Sequence, residues 1–413
     1  MTHADASSPQ PAWGALRHRG FALFWVSRFC TTFATQIVSV AVGWQIYDLT
    51  RDPFDLGLVG LVQFAPSLLL VLVTGAVSDR FNRRMIVAIC QFIEAICAGL
   101  LLYLVWTGDV TVPAIFATLV AFGVARAFMN PASQSLIPNL VPAEALASAI
   151  ALSSSSWQIA VILGPVAGGL LYGLGADIAY FAAVAIFIAA AILIALVPRP
   201  PQKTVPEPAN WTTVIAGFRY VWHEKIVLGA ISLDLFAVLL GGAVALLPAY
   251  ARDVLDVGPW GLGLLRSAPG IGAIVVALVL AVRPIRDHAG LIMFACVALF
   301  GAFTLTFGLS TLVWLSVAAL ALAGAADMVS VYIRETLIQL WTPDAVRGRV
   351  NAVNMVFIGA SNELGEFRAG SVAALIGLVP AVVIGGIGTI AVAGLWMFMF
   401  PALRKARHLS GRV

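Results

Sequence analysis

The chain has 413 residues, of which 61% are hydrophobic and only 11% charged, with a formal net charge of +4. Soluble domains carry about 25% charged residues, so a water-soluble fold could not hide this much apolar surface, and lipid must be the solvent for most of the chain. A surplus this small does not suggest a nucleic-acid partner, and none is expected; the placement of the charge matters more than its size.

Residues 1–19 are polar, and the apolar run that follows is too long for a cleaved signal, so this segment reads as a tail. A hydrocarbon core of about 30 Å takes roughly 20 helical residues. Runs of this kind are predicted at 20–48, 56–78, 85–107, 112–136, 147–172, 176–197, 226–250, 259–282, 289–309, 312–336, 350–376 and 379–401. The expected fold is therefore an all-α integral membrane protein of twelve transmembrane helices in two six-helix bundles, 20–197 and 226–401. Spans 5 and 6, and again 11 and 12, are separated by so few residues that each pair must be a hairpin. The linker, 198–225, opens on Pro198, Pro200, Pro201, Pro206 and Pro208. It then places Trp211, Val214, Ile215, Phe218, Val221 and Trp222 at helical spacing, which reads as an amphipathic helix at the membrane interface. Residues 402–413 form a C-terminal tail.

The basic residues take sides. Seventeen lie in the tails and loops at one end of the spans, and only Arg51 and Arg252 lie at the other. This asymmetry puts both termini and the linker in the cytoplasm, as an even number of spans also requires. The four cysteines (Cys30, Cys90, Cys97 and Cys296) fall inside apolar stretches and read as small core residues. No Cys/His grouping has metal-ligand spacing, so no metal or other cofactor is expected.

The two halves repeat. Gly123, Arg126, Leu136, Ile137 and Pro142 recur at an offset of 201 as Gly324, Asp327, Leu337, Ile338 and Pro343, and Gly164 and Gly169 recur as Gly365 and Gly370. The entry to span 2, Pro53 to Gly57, matches that to span 8, Pro259 to Gly263. Repeated halves of this kind place a binding site between them, near the bilayer midplane.

Between spans 2 and 3 the chain reads Gly75-Ala-Val-Ser-Asp79-Arg80-Phe-Asn-Arg83-Arg84. This resembles the loop signature of the major facilitator superfamily at every fixed position. The resemblance implies a conformational latch formed by Gly75, Asp79, Arg80, Arg83 and Arg84; topology set by positive charge is the plainer account of the same residues. Span 5 carries Gly164-Pro165-Val-Ala-Gly168-Gly169, which looks like the end of that superfamily's antiporter motif, with Ala151 and Ala160 where its earlier glycines stand. Ordinary close packing would use the same small residues. Three stretches carry a narrower likeness: Phe24 to Phe29 with Val42 to Arg51, Ser232 to Ala243, and Thr342 to Asn354 with Gly359 to Phe367. They resemble the EntS-like branch, whose members export the siderophore enterobactin or other small amphipathic molecules. The resemblance covers nearly the whole chain after residue 14 and implies a secondary active exporter working by alternating access, not an enzyme.

An ionisable side chain within a span is costly unless paired or hydrated, so each is a candidate functional residue. The acids are Glu94, Asp234, Asp327, Glu363 and Glu366; the bases include Arg28, Arg126 and Arg266, with Arg334 and Arg368. At 1.5 Å per residue, Glu94 lies roughly 14 Å into its span, and Glu363 and Glu366 roughly 20–24 Å into theirs. Arg334 and Glu335 lie close enough to an end to snorkel. With no histidine inside a span, carboxylates remain as carriers for a coupling proton, and Glu366, in the place of the span 5 proline, is the first candidate. A structural ion pair is the competing role for every acid. Expected partners are a small-molecule cargo, protons and the bilayer, with the chain acting as a monomer in the cell inner membrane. A lysophospholipid flippase of the same fold is the alternative. A non-transporting membrane sensor or scaffold is the alternative of another class, and the intramembrane charges argue against it.

Overall fold

The computed structural model describes residues 13–198 and 211–406, without the side chains of residues 71, 72, 79, 211–216, 344 and 345. Both tails and the proline-rich start of the linker lie outside the described residues. Among the described residues the chain is helical throughout, with no strand.

Each helix boundary has a local cause. After α1 (Arg19–Thr50), Asp52 caps α2 (Pro53–Leu69) by accepting a hydrogen bond from the Phe54 amide at 2.9 Å, with proline in the first turn. The helix is interrupted at Leu70, whose amide still donates to the Pro66 carbonyl at 2.9 Å, and resumes as α3 (Val71–Arg80). Asn82 caps α4 (Arg83–Thr107), which ends on left-handed Gly108 at φ 76°. Then come α5 (Val112–Leu140), α6 (Leu146–Leu174) and α7 (Ala176–Ala195). Single glycines, Gly175 and Gly377, form the two predicted hairpin turns.

The second half begins with α8 (Trp211–His223) and α9 (Lys225–Gly241). Span 7, expected to be continuous, is interrupted at Gly241-Gly242. It continues as a 3-10 turn (Val244–Leu246), a single α turn, α10 (Leu247–Ala249), and a π turn (Tyr250–Val254). After these come α11 (Pro259–Val282), α12 (Ala289–Leu309), α13 (Val313–Trp341), α14 (Asp344–Ile376), α15 (Leu378–Met399) and the short α16 (Pro401–Arg404).

Among the described residues, ten helices are long and apolar enough to cross a membrane. Two predicted spans miss that standard for physical reasons. Span 2 is divided by its break, leaving a first part only 17 residues long. Span 11 is 33 residues long but carries Glu363, Glu366 and Arg368 along its length. The helix before the linker packs with its own half: α1 lies on α6 and α7, and α4 on α5 and α7. Beyond the linker, α11 and α12 lie on α13, and α15 on α9 and α12. Two long contacts join these groups, α2 with α14 and α6 with α11.

The amphipathic helix α8 packs on protein. Gly217 lies against the Arg349 backbone, Phe218 meets Phe357 at a tilt of 51° with ring centroids 5.6 Å apart, and Val221 is buried with Ile338, Val350 and Val353. Trp222, counted in the apolar face, is 68% exposed.

Candidate functional site

The repeat is visible contact by contact. Gly123 of α5 lies directly against the Gln63 carbonyl of α2, and its counterpart Gly324 lies against the Pro269 carbonyl of α11. Gly164 packs on α1 at Phe33 and Gln36, and Gly365 packs on α9 at Val238 and Leu239. Gly169 meets Pro259 and Gly263 of α11, while Gly370 meets Pro53 and Gly57 of α2. None of these positions has room for a β-carbon, which is why small residues recur there. Pro165 is buried, and Gly168 rests on Ile37 and Val40 of α1. The four residues of the antiporter-like motif therefore serve as packing surfaces: Gly164 and Gly168 pack within their own half, while the Pro165 carbonyl and Gly169 lie against Gly263 of α11 in the other.

The two cross-half contacts lie toward the end of the molecule opposite the described chain ends, here called the far end. Two ion pairs reinforce it. Arg51 meets Asp253 at 3.3 Å, and Arg252 pairs with Asp48 while lying 5.6 Å over the Trp44 ring. Tyr47 donates to Asp253 as well. Arg51 and Arg252 stood out in the sequence as the basic residues at that end; their acidic partners were not singled out. These contacts and ion pairs join the halves at the far end. At the other end, among the described residues, no atom of another element stands within 4 Å of where a Gly75 β-carbon would lie.

Within that loop, buried Arg83 donates to the carbonyls of Ser78 at 3.3 Å and Ser135 at 3.1 Å. Arg84 donates to the carbonyls of Ala195 and Val197 at the end of α7. Both arginines satisfy carbonyls near helix C-termini, where a cation also complements the helix dipole. Arg80 is exposed, and the Asp79 side chain lies outside the described residues.

Between the halves a cavity of about 220 Å³ collects Arg126 from α5, Arg266 from α11, and Glu363 and Glu366 from α14. Arg126 donates to the Gln63 amide oxygen at 3.4 Å. Both glutamates reach toward Gly60 of α2: a β-carbon there would stand 2.8 Å from one Glu366 carboxylate oxygen and would overlap one of Glu363. The same Glu363 oxygen is buried without a hydrogen-bond partner. Arg126 acts electrostatically on Glu363, and Arg266 on Glu366. Neither pair closes to a salt bridge. Gly60 and Gln63 escaped the sequence reading because neither carries charge; only their proximity to charged partners marks them.

The other candidates separate by environment. Asp327, the repeat counterpart of Arg126, lines an adjoining cavity of about 200 Å³ with Arg266 and Glu366. Glu94 is fully buried, with neither carboxylate oxygen hydrogen-bonded, and the nearby charge acting on it is Arg126. Asp234 is apart from this cluster, in a buried ion pair with Arg334, which also stands 3.8 Å from Glu335. Arg334 does not snorkel as its position suggested: it is 3% exposed, because α9 offers it a counter-ion inside the bundle. Arg368 turns away from Glu366 and donates to the carbonyls of Leu239 at 2.8 Å and Leu240 at 2.6 Å. These are carbonyls freed by the break in span 7. Arg28 lines a larger cavity of about 630 Å³ that Arg126 also reaches.

Free Cys90 and Cys97 are buried, and free Cys30 and Cys296 half-buried. Beside Cys90, Gln91 bridges α4 to α1 by donating to Ser27 at 3.0 Å and Thr31 at 2.8 Å. This buried network also had no charge to announce it.

Residues 10–410 match the family described as transmembrane secretion effector. The chain is 26% identical over 409 residues to the enterobactin exporter EntS of Escherichia coli O1:K1, covering 96% of this chain and 95% of that one. It is also 26% identical over 404 residues to the enterobactin exporter EntS of Citrobacter koseri, covering 95% and 94%. In fold it is similar to a bacterial homolog of the human lysosomal transporter Spinster in an inward-facing, occupied conformation (TM-score 0.72, 15% identity, 94% of this chain and 96% of that one). It is likewise similar to the nucleoside transporter NupG (TM-score 0.69, 15% identity, 92% and 99%).

Proposed function

The chain belongs to the major facilitator superfamily, in its family of transmembrane secretion effectors, and from that premise we propose that it exports a small amphipathic molecule by alternating access, driven by proton antiport. Membership makes it a transport protein embedded in a membrane and not an enzyme. The proposed architecture has twelve spans in two bundles, 20–197 and 226–401. Its termini are cytoplasmic and its location is the bacterial inner membrane. The chain acts as a monomer. The full-length similarity to enterobactin exporters makes a siderophore or a drug-like compound the first cargo class to test.

One observation carries the mechanism. Four charged groups converge on a cavity between the halves, with Arg126 from one half and Glu363, Glu366 and Arg266 from the other. A carboxylate that gains and loses a cationic neighbour as the halves move has a different proton affinity in each state. In this reading Glu366 carries the proton with help from Glu363, and Asp79 belongs to a latch that forms in the opposite state. The test is efflux from proteoliposomes holding siderophores, antibiotics or lysolipids, with and without an imposed pH gradient. Cargo movement that follows the gradient supports the reading. Movement of lysolipid alone would replace it with a flippase, and no movement of any class would end it.

A further inference from the structure

The larger cavity differs in chemistry from the charged cluster. Its volume is about 630 Å³, and α1, α4, α5 and α6 line it, with Met355 of α14 at one side. Among the described residues the charged side chains lining it are Arg28 and Arg126, and no carboxylate does. Among the described residues Arg28 has neither an ion pair nor a hydrogen-bond partner. It is half-buried, nine residues into α1, or about 14 Å along the helix. A guanidinium at that depth without a counter-ion is costly, so it is poised for an anion arriving from outside the protein. The remaining wall is rich in neutral hydrogen-bonding groups, Asn130, Gln134 and Gln158 among them, and Trp157 presents a half-exposed ring.

We propose that this cavity is the cargo site and that it selects molecules with an anionic oxygen group, a carboxylate or phosphate, held by Arg28 and Arg126 with an aromatic or apolar body against Trp157. Planar guanidinium groups bind such anions through paired, charge-assisted hydrogen bonds. The inference rests on the exporter reading and narrows its cargo. It also bears on the driving force. With cytoplasmic termini, moving one negative charge outward is favoured by about 2.3 kcal/mol per 100 mV of inside-negative potential. The cargo's own charge then contributes to export alongside any proton.

The same anionic chemistry could arrive on a soluble molecule or on a lipid headgroup, so the test has two arms. The purified full chain in neutral-lipid nanodiscs is titrated with 2-naphthoate and with its neutral amide. A second titration compares oleoyl lysophosphatidylglycerol with oleoyl lysophosphatidylcholine. The anion of at least one pair should bind about tenfold more tightly than its neutral or zwitterionic partner, the scale of one hydrogen bond to a charged group. Arg28→Gln should bring that preference to within about twofold, while Arg28→Lys should keep part of it. The responding pair identifies the source. Equal binding within both pairs, a preference that survives Arg28→Gln, or no binding of either anion overturns the site. Efflux of the bound probe from proteoliposomes separates the two readings. Arg28-dependent binding without efflux removes the exporter reading and leaves the anion site. Efflux with no anion preference does the reverse.

Discussion

Gly370→Ala should shift the molecule toward a state open at the far end. A β-carbon at position 370 would stand 2.6 Å from the Pro53 carbonyl oxygen, 2.7 Å from Gly57 Cα and 2.8 Å from the Gly57 nitrogen. Ordinary contact begins at 3.4 Å. All three neighbours are backbone, so no rotamer change can make room, and α2 and α14 must part by nearly 1 Å. Overpacking of this kind costs about 1–3 kcal/mol. Here the cost falls only on the state in which the two helices touch, since Gly370 faces the other half. A differential of that size changes the ratio of states by about 5- to 150-fold. The assay is the distance between spin labels at Asp109→Cys and Leu312→Cys, two far-end loop positions in opposite halves, with the four native cysteines replaced. The longer-distance population should grow. Gly301→Ala is the control, because its β-carbon would meet the Gly386 carbonyl at 2.8 Å within one half; it should lower stability and leave the distribution alone. An unchanged distribution in folded Gly370→Ala would refute the reasoning, since the far-end contact would then not limit opening.

Asp234→Asn leaves buried Arg334 without its full counter-charge, which should cost about 3 kcal/mol of stability, visible as a lower Tm in detergent. Adding Arg334→Met should recover part of the loss, whereas an unchanged Tm with altered pH dependence of transport would make Asp234 a coupling group. Glu366→Gln should bind cargo and support exchange yet lose efflux driven by a pH gradient; transport with the parental pH dependence would disprove the assignment. Asp79→Asn should insert and fold normally but transport more slowly, as measured by initial efflux rates, and parental rates would reduce the loop to a topology signal.

Most of the architecture was legible in the sequence because the bilayer imposes a length and a composition that composition alone can meet. The hairpin turns and the matched glycines were readable for the same reason: a helix crossing at backbone contact tolerates no β-carbon, so the need shows as glycine. The interruption of span 7 was marked by Gly241-Gly242 but masked by the apolar residues around it. Pairing was not legible. Arg334 looked able to reach water and instead pairs with Asp234; Arg368 serves the carbonyls at the broken helix. Both outcomes depend on which helix lies beside which, a fact that no one-dimensional pattern carries. Gly60 and Gln63 were missed because they matter through the charges they face.

The central cavity shows what duplication kept and what it changed. Packing positions have matching residues in both halves, yet the charged positions do not. Arg126 corresponds to Asp327, Gly60 to Arg266 at the offset of 206 shared by Gly57 and Gly263, and Pro165 to Glu366. The repeat therefore preserves the close packing of helices and breaks the symmetry of charge. This has a mechanical consequence. In a rocking motion of two halves, Arg266, Glu363 and Glu366 travel together, so their mutual interactions change little. Arg126 is the one charged lining group of that cavity from the other half. Its separation from Glu363 is thus the electrostatic relation in the cavity that opening and closing must alter. Arg126 also reaches into the cavity lined by Arg28. A single side chain then senses the acids on one face and any anionic cargo on the other. Because charge interactions gain strength away from water, occupancy of one cavity must be felt in the other through that side chain.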